Sequence, residues 1–350
     1  MSEVKKEFLE QVATLLEQAR KSVKASVNLT MVYTYYEIGR RIVDEEQNGA
    51  DRAEYGKRLL QELSEYLTDE FGKGFSADNL KLMRRFYIVY SHDQIGETVF
   101  PQFSDLPATS TGRKFYLSWS HYLKLMRIEN VEERHFYEIE AARNDWSLAE
   151  MKRQFDSALF ERLSLSRNKD EVKRLAECGQ ILETPADAVK DPYILEFLGL
   201  PEQSVYSETE LEGRIIDHLQ AFLLELGTGF TFVGRQVRFT FDEKHFKVDL
   251  VFFNRILRCF VLFDLKIGEL KHQDIGQMQM YVNYYDRFVK LKDENPTVGI
   301  LLCQGKNDSL VELTLPEDAN IYAAKYKLYL PDMKLLQEKL RQWLEEEGDI

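Results

Sequence analysis

Over residues 4–36 apolar residues recur at helical spacing, with Phe8, Val12, Leu15, Leu16, Ala19 and Val23 on one stripe. The same period predicts helices over 30–47, 52–71 and 77–90. Gly72 and Gly74 suit a tight helix–helix turn, and Ser76 stands at an N-cap position, where its hydroxyl can accept from a free first-turn amide. Pro101, Pro107 and the run Thr109-Ser110-Thr111-Gly112 mark 92–112 as a loop, or a short helix between loops. Further helices are expected at 118–126, 131–143 and 147–163. Asn130 with Glu133 fits a helix start, and Ser147-Leu148-Ala149-Glu150 has the capping-box pattern. Residues 166–204 are charged and contain Pro185 and Pro192, and are expected to connect two domains with some helix of their own.

From Tyr206 the period changes. Residues 207–226 read as one amphipathic helix closed by Gly227 and Gly229. Three β-rich runs follow at 231–241, 245–254 and 256–265, and their short polar turns predict antiparallel hairpins. A helix at 274–292, a buried-type strand at 298–303 after Pro296, a helix-like segment at 308–314, a strand at 321–330 and a helix at 332–347 complete the pattern. The expected organisation is α+β, with an all-α domain over 1–165, a connection over 166–204 and an α/β domain over 205–350.

Length supports two domains, since 350 residues exceed one ordinary core. A net charge of −13 argues against a generally sticky nucleic-acid binder, but not against an enzyme with local basic patches. Cys178, Cys259 and Cys303 form no CxxC pair, so neither a zinc ribbon nor a disulfide framework is expected, and the setting is read as reducing and cytoplasmic. The start Met1-Ser2-Glu3-Val4-Lys5-Lys6-Glu7 has no signal-peptide core. The most apolar stretch, 248–265, is interrupted by Asn254, Arg255, Arg258 and Asp264, so no membrane association is expected. No Gly-x-x-x-x-Gly-Lys phosphate loop is present, which excludes ordinary P-loop ATP hydrolysis.

Asp249 lies inside the apolar run Lys247-Val248-Asp249-Leu250-Val251-Phe252-Phe253. A lone carboxylate buried there costs several kcal/mol unless it is paired or metal-bound. Asp264 and Lys266 end the apolar run Phe260-Val261-Leu262-Phe263-Asp264-Leu265-Lys266. Two apart on a strand, they share a face. A short turn joins the two runs, so strand pairing can bring Asp249 near Asp264. Two converging carboxylates suit Mg²⁺, with Mn²⁺ as a substitute, and a nearby lysine can orient a water or stabilise phosphorane charge. The plainer reading is a strand-end acid and an isolated ion pair.

The spacing Asp, about fifteen residues, then Asp-x-Lys resembles the PD-(D/E)XK nuclease superfamily, and so does the order helix–strand–strand–strand–helix–strand. Val248 replaces the proline of the superfamily name. The resemblance implies a restriction-endonuclease-like α/β domain with a mixed sheet, and an acid on the preceding helix, Glu212, with Glu210 as competitor. It also implies a role for Gln277 at the metal shell or substrate backbone, since Gln277-Met278-Gln279-Met280-Tyr281 matches a Gln-x-x-x-Tyr signature. Leu265 can add its carbonyl as a metal ligand.

A closer resemblance spans nearly the whole chain. Tyr35-Tyr36-Glu37-Ile38-Gly39-Arg40, Ala53-Glu54-Tyr55-Gly56-Lys57, Leu117-Ser118-Trp119-Ser120-His121-Tyr122, Phe232-Val233-Gly234-Arg235-Gln236 and Leu257-Arg258-Cys259-Phe260-Val261 look like the bacterial YhcG family. That family couples an N-terminal helical domain to a nuclease-like domain. It implies a metal-dependent DNA endonuclease in defence, recombination or mobile-element processes. A non-enzymatic DNA-binding or assembly module with the nuclease fold, or an RNA nuclease, are the alternatives.

Residues 59–90 can form a helix-turn-helix with Leu80, Met83, Tyr87 and Tyr90 inward. Lys81, Arg84 and Arg85 would then meet phosphate, with Asn79 near a base edge. A bundle with solvated charges is the plainer alternative. A homodimer and partner proteins are further expectations for these helices. Lys271, His272, Arg235 and Arg238 are weak phosphate candidates, and His121 and His218 read as helix or core residues.

Overall fold

The computed structural model describes residues 28–47, 52–91, 109, 114–165, 169–201, 206–241, 243–307, 311, 313–315 and 319–346. The helical stripe expected before residue 28 and most of the 92–112 loop lie outside them. The chain divides into two compact units, Met1–Met151 with Ala176–Gly179, and Lys152–Leu175 with Gln180–Ile350. Among the described residues no helix is long and apolar enough to cross a membrane.

The first unit is helical. Helix α1 covers 28–47, α2 Arg52–Phe71, α3 Ala77–Tyr90, α4 Trp119–Leu125 and α5 Val131–Arg143. Ser76 caps α3 by accepting from the Asn79 amide at 3.3 Å, and Asn130 caps α5 by accepting from Glu133 at 3.0 Å. The core is aromatic: the Phe86 ring lies 4.8 Å from Phe115 and 5.1 Å from Tyr122. Gly39 lets α1 approach α3, because a Cβ there would stand 2.1 Å from the Met83 carbonyl oxygen. The buried stripe of α3 is Leu80, Met83, Phe86 and Tyr90. Tyr87, expected inside, is half-buried; Phe86 fills the centre instead.

Helix α6, Leu148–Asp156, crosses between the units. Its start carries the expected capping box, with Ser147 N donating to Glu150 at 2.7 Å and Glu150 N to Ser147 at 3.2 Å. The single helix expected over 147–163 breaks at Ala158, whose φ is +52°, and resumes as α7, Leu159–Ser164. Helix α8 is Lys169–Cys178. The stretch read as a connection also supplies β1, Tyr193–Ile194, which joins the sheet of the second unit.

That unit is a six-stranded mixed sheet between helices. Helices α9, Glu208–Asp217, and α10, Leu219–Leu226, replace the one helix expected over 207–226. The break is at His218, whose φ of −116° leaves helical geometry while its Nδ1 meets the Arg214 carbonyl at 3.0 Å. Strands β2, Phe230–Phe241, β3, Lys244–Asn254, and β4, Cys259–Leu265, form an antiparallel meander. β4 starts three residues late because the Asn254 side chain accepts from the Ile256 and Leu257 amides and holds a turn. Helix α11, His272–Tyr284, ends in a π turn at Tyr285–Val289 and crosses over to β5, Val298–Cys303, parallel to β4. β6, Ile321–Lys327, and α12, Met333–Glu346, follow. The sheet order is β1-β6-β5-β4-β3-β2.

The two faces have separate cores. Leu211, Ile215 and Phe222 cover Leu250, Phe252, Val261 and Phe263 on one. Met278, Tyr281 and Tyr285 cover Val248, Val251 and Leu262 on the other. Val248 and Leu250 are two apart on β3, yet they pack on opposite faces. Regular alternation would put them together, so the strand changes phase at Asp249.

Candidate active site

The β3–β4 ladder runs from Asn254↔Cys259 to Leu250↔Phe263 and stops. One further step of this register sets Asp249 opposite Asp264. On the other side, the pairs Arg235↔Leu250 and Val237↔Val248 leave Gln236 opposite Asp249. Gln236, Asp249 and Asp264 therefore occupy one rung across three strands. The regular ladder is interrupted at this rung, and Gln236 has a left-handed φ of +48°.

Asp249 accepts from Gln236 Nε2 at 3.0 Å and from the Leu265 amide at 2.8 Å. Asp264 is 2% exposed. Lys266 Nζ pairs with its buried Oδ2 at 2.8 Å. Burial pushes the Asp264 carboxyl up to about 7; Lys266 opposes the shift, and the adjoining Asp249 carboxylate adds to it. Burial works against the Lys266 charge, but Asp264 outweighs it and keeps the ammonium above its ordinary value. Lys266 is thus a fixed cation in this form of the site.

Of the competing helix acids, Glu210 is exposed and Glu212 is buried. Glu212 accepts from Gln236 Nε2 at 2.5 Å, so this one amide bridges Glu212 and Asp249. Burial raises the Glu212 carboxyl; the Gln236 hydrogen bond opposes this and the Asp249 charge reinforces it. Arg235, largely exposed, comes within 3.9 Å of Glu212. Gln236 ends the stretch Phe232-Val233-Gly234-Arg235-Gln236 that carries the family resemblance, but motif and spacing give it no role at the site.

Gln277 faces the same region through Tyr281, donating to its hydroxyl at 2.5 Å. Burial, reinforced by Asp264, pushes that phenol up to about 12, so it stays neutral. Lys271 and His272 are exposed at the start of α11. Among the described residues no group of three His, Cys, Asp or Glu side chains forms a ready metal cluster. The donor set on the rung is two carboxylates, with Glu212 one amide away.

The four N-terminal candidates belong to the helical unit and are engaged with its own atoms. Arg84 pairs with Glu46 at 2.5 Å, Arg85 donates to the Met126 carbonyl at 2.8 Å, Lys81 pairs with Asp78 at 2.9 Å and the Asn79 amide donates to the Gly74 carbonyl at 3.0 Å. Arg84 thus turns toward α1 rather than freely outward. His121 is buried between Ser118 Oγ at 2.7 Å and the Trp146 carbonyl at 3.0 Å.

Two family models match the chain: the DUF1016 N-terminal domain over residues 11–162 and the YhcG PDDEXK nuclease domain over residues 186–341. A protein of Escherichia coli (strain K12) named "Putative nuclease YhcG" is 39% identical over 342 residues, which are 93% of this chain and 91% of that protein. The chain belongs to the YhcG family. Within that family's layout the mixed sheet is the PDDEXK nuclease domain, and the rung described above lies inside it. Among solved structures, a repair endonuclease from Pyrococcus abyssi is 20% identical, with a TM-score of 0.24 over 37% of this YhcG-family chain and 50% of that chain. An EndoMS–dsDNA complex is 16% identical, with a TM-score of 0.26 over 38% of this chain and 50% of that one. The chain spans about half the length of each.

Proposed function

We propose that this chain is a divalent-metal-dependent endonuclease that hydrolyses DNA phosphodiester bonds at the Asp249–Asp264 rung. The observation that carries the reading is a pair of adjoining carboxylates, one of them buried, beside a lysine held cationic. Two adjoining carboxylates suit Mg²⁺, which takes oxygen ligands and keeps several waters; Mn²⁺ would substitute. Asp249 and Asp264 would hold the ion. The Leu265 carbonyl would add to them, since a strand residue's amide and carbonyl face the same neighbour and its amide already meets Asp249. Glu212 would complete the set directly or through water.

A cation bound there would polarise the phosphoryl oxygen and lower the pKa of the attacking water. Lys266 orients that water and stabilises charge growing on the phosphoryl oxygens. Gln277 and the neutral Tyr281 hydroxyl offer polar contacts to the substrate backbone. Helices of the first unit, including Lys81, Arg84, Arg85 and Asn79, bind DNA or a partner protein after exchanging their present contacts.

The test is cleavage of single-stranded, duplex and branched DNA, and of RNA, with Mg²⁺ or EDTA, beside Asp264→Ala and Lys266→Ala. Mg²⁺-dependent DNA cleavage lost in both variants is expected. Cleavage persisting equally in both would refute the site, cleavage of RNA alone would refute the substrate, and salt-sensitive binding without cleavage would mark a binding module.

A further inference from the structure

Gln236 is an unusual residue for the middle of a strand. Its φ of +48° is left-handed, a conformation that a non-glycine residue keeps only where the surroundings enforce it. The consequence is visible in the side chain. Nε2 reaches Glu212 at 2.5 Å on α9 and Asp249 at 3.0 Å on β3, so one amide donates to two carboxylates from different elements. Glu212 is 6% exposed; the charges acting on it are Asp249, Arg235 at 3.9 Å and Lys247. A buried carboxylate without a close donor is costly, so the Gln236 amide is what keeps Glu212 turned inward beside Asp249.

We propose that Gln236 is a positioning residue: its left-handed backbone aims the amide between Glu212 and Asp249 and fixes Glu212 as the third acid of the metal set. This rests on the metal-site reading above. The amide orients Glu212 before the ion arrives, while Asp249 is held independently by the Leu265 amide; outer partners orient metal ligands in this way, and loss of such a partner weakens metal binding about 10-fold or more. Gln236 acts through Glu212, so its removal should do no further harm once Glu212 can no longer serve.

The test uses the full chain and Mn²⁺ alone, titrated calorimetrically, with melting followed in parallel. The variants are Gln236→Gly, Glu212→Gln, both together, and Asp264→Ala. Glycine adopts φ +48° without strain, which offsets the donor lost to the two carboxylates, so Gln236→Gly is expected to fold and to melt close to the wild-type temperature. Gln236→Asn, also at ease in left-handed backbone but one methylene short, repeats the test should glycine loosen the strand. Mn²⁺ binding is expected to weaken about 10-fold in Gln236→Gly, equally in Glu212→Gln, and no further in the double variant. Unchanged affinity in Gln236→Gly, or effects that multiply in the double variant, would overturn the proposal. If Asp264→Ala binds Mn²⁺ like the wild type, the metal-site reading falls and takes this proposal with it. If Asp264→Ala loses binding while Gln236→Gly does not, the positioning role alone falls.

Discussion

Glu225 and Asp264 are both buried acids of the C-terminal unit, 0% and 2% exposed, and they are furnished in opposite ways. Glu225 Oε1 accepts from Arg162 at 2.8 Å and from the Ile194 amide at 2.9 Å, and Oε2 accepts from Arg153 at 2.7 Å. Lys190 donates to the Glu225 carbonyl beside them. Burial alone would raise this carboxyl, but Arg162, Lys190 and Arg153 outweigh it and hold it at about 2. Asp264 has one ion pair and a second carboxylate next door, and it rises to about 7. A carboxylate whose charge is fully answered ties segments together: here it joins α6, α7 and β1 to α10. A carboxylate left half-answered inside a sheet carries charge that a ligand can answer.

Substitutions should separate the two. Glu225→Gln takes the countercharge from the buried Arg162 guanidinium, while Arg153 keeps Glu196; breaking such a network costs about 3–5 kcal/mol, so melting should fall by about 10 °C. A shift under about 2 °C would show that the network contributes little. Asp264→Asn removes repulsion instead. Cleavage should drop about 10²–10³-fold, while the metal-free protein melts at or above the wild-type temperature. A large fall in melting temperature there would make Asp264 a structural acid like Glu225.

Titration sharpens the contrast, because the signs differ. The Glu225 contribution is present above its ordinary value of 4.5 and is lost as pH falls toward about 2. The Asp264 contribution is greatest below its ordinary value of 3.8 and is lost as pH rises through about 7. Metal-free wild type should therefore lose a few degrees of melting temperature relative to Asp264→Asn between pH 4 and pH 7. Parallel curves would show that Asp264 ionises freely. A smaller effect concerns the ion itself: protons compete for Asp264, so Mn²⁺ affinity should fall by at most about tenfold per pH unit below pH 7. Affinity constant from pH 6 to pH 8 would contradict the raised carboxyl.

Much of the site was legible because it rests on local pattern. Acids breaking apolar runs at Asp249 and Asp264, with Lys266 two residues on, needed only strand pairing to converge, and the register sets the acids opposite each other. The capping residues Ser76, Asn130 and Ser147 act where their types favour a helix start. What escaped depends on the tertiary setting. Nothing in the propensity of Gln236 announces a left-handed residue in a strand, and the phase change at Asp249 is a property of the sheet as a whole. Arg84 looked outward-facing until Glu46, 38 residues earlier, claimed it. The break at His218 follows from its backbone leaving the helix, where periodicity alone ran one helix through. Glu212 was separable from Glu210 only by burial and by its contact with Gln236.

The most direct measurement is the Mn²⁺ binding isotherm of the metal-free chain, wild type against Asp264→Asn, at pH 8 where the wild-type carboxyl is ionised. Saturable binding in the wild type, abolished or weakened at least tenfold in Asp264→Asn with melting preserved, is the expected result. Equal binding by the two proteins, or none by the wild type, would contradict a metal site on the Asp249–Asp264 rung.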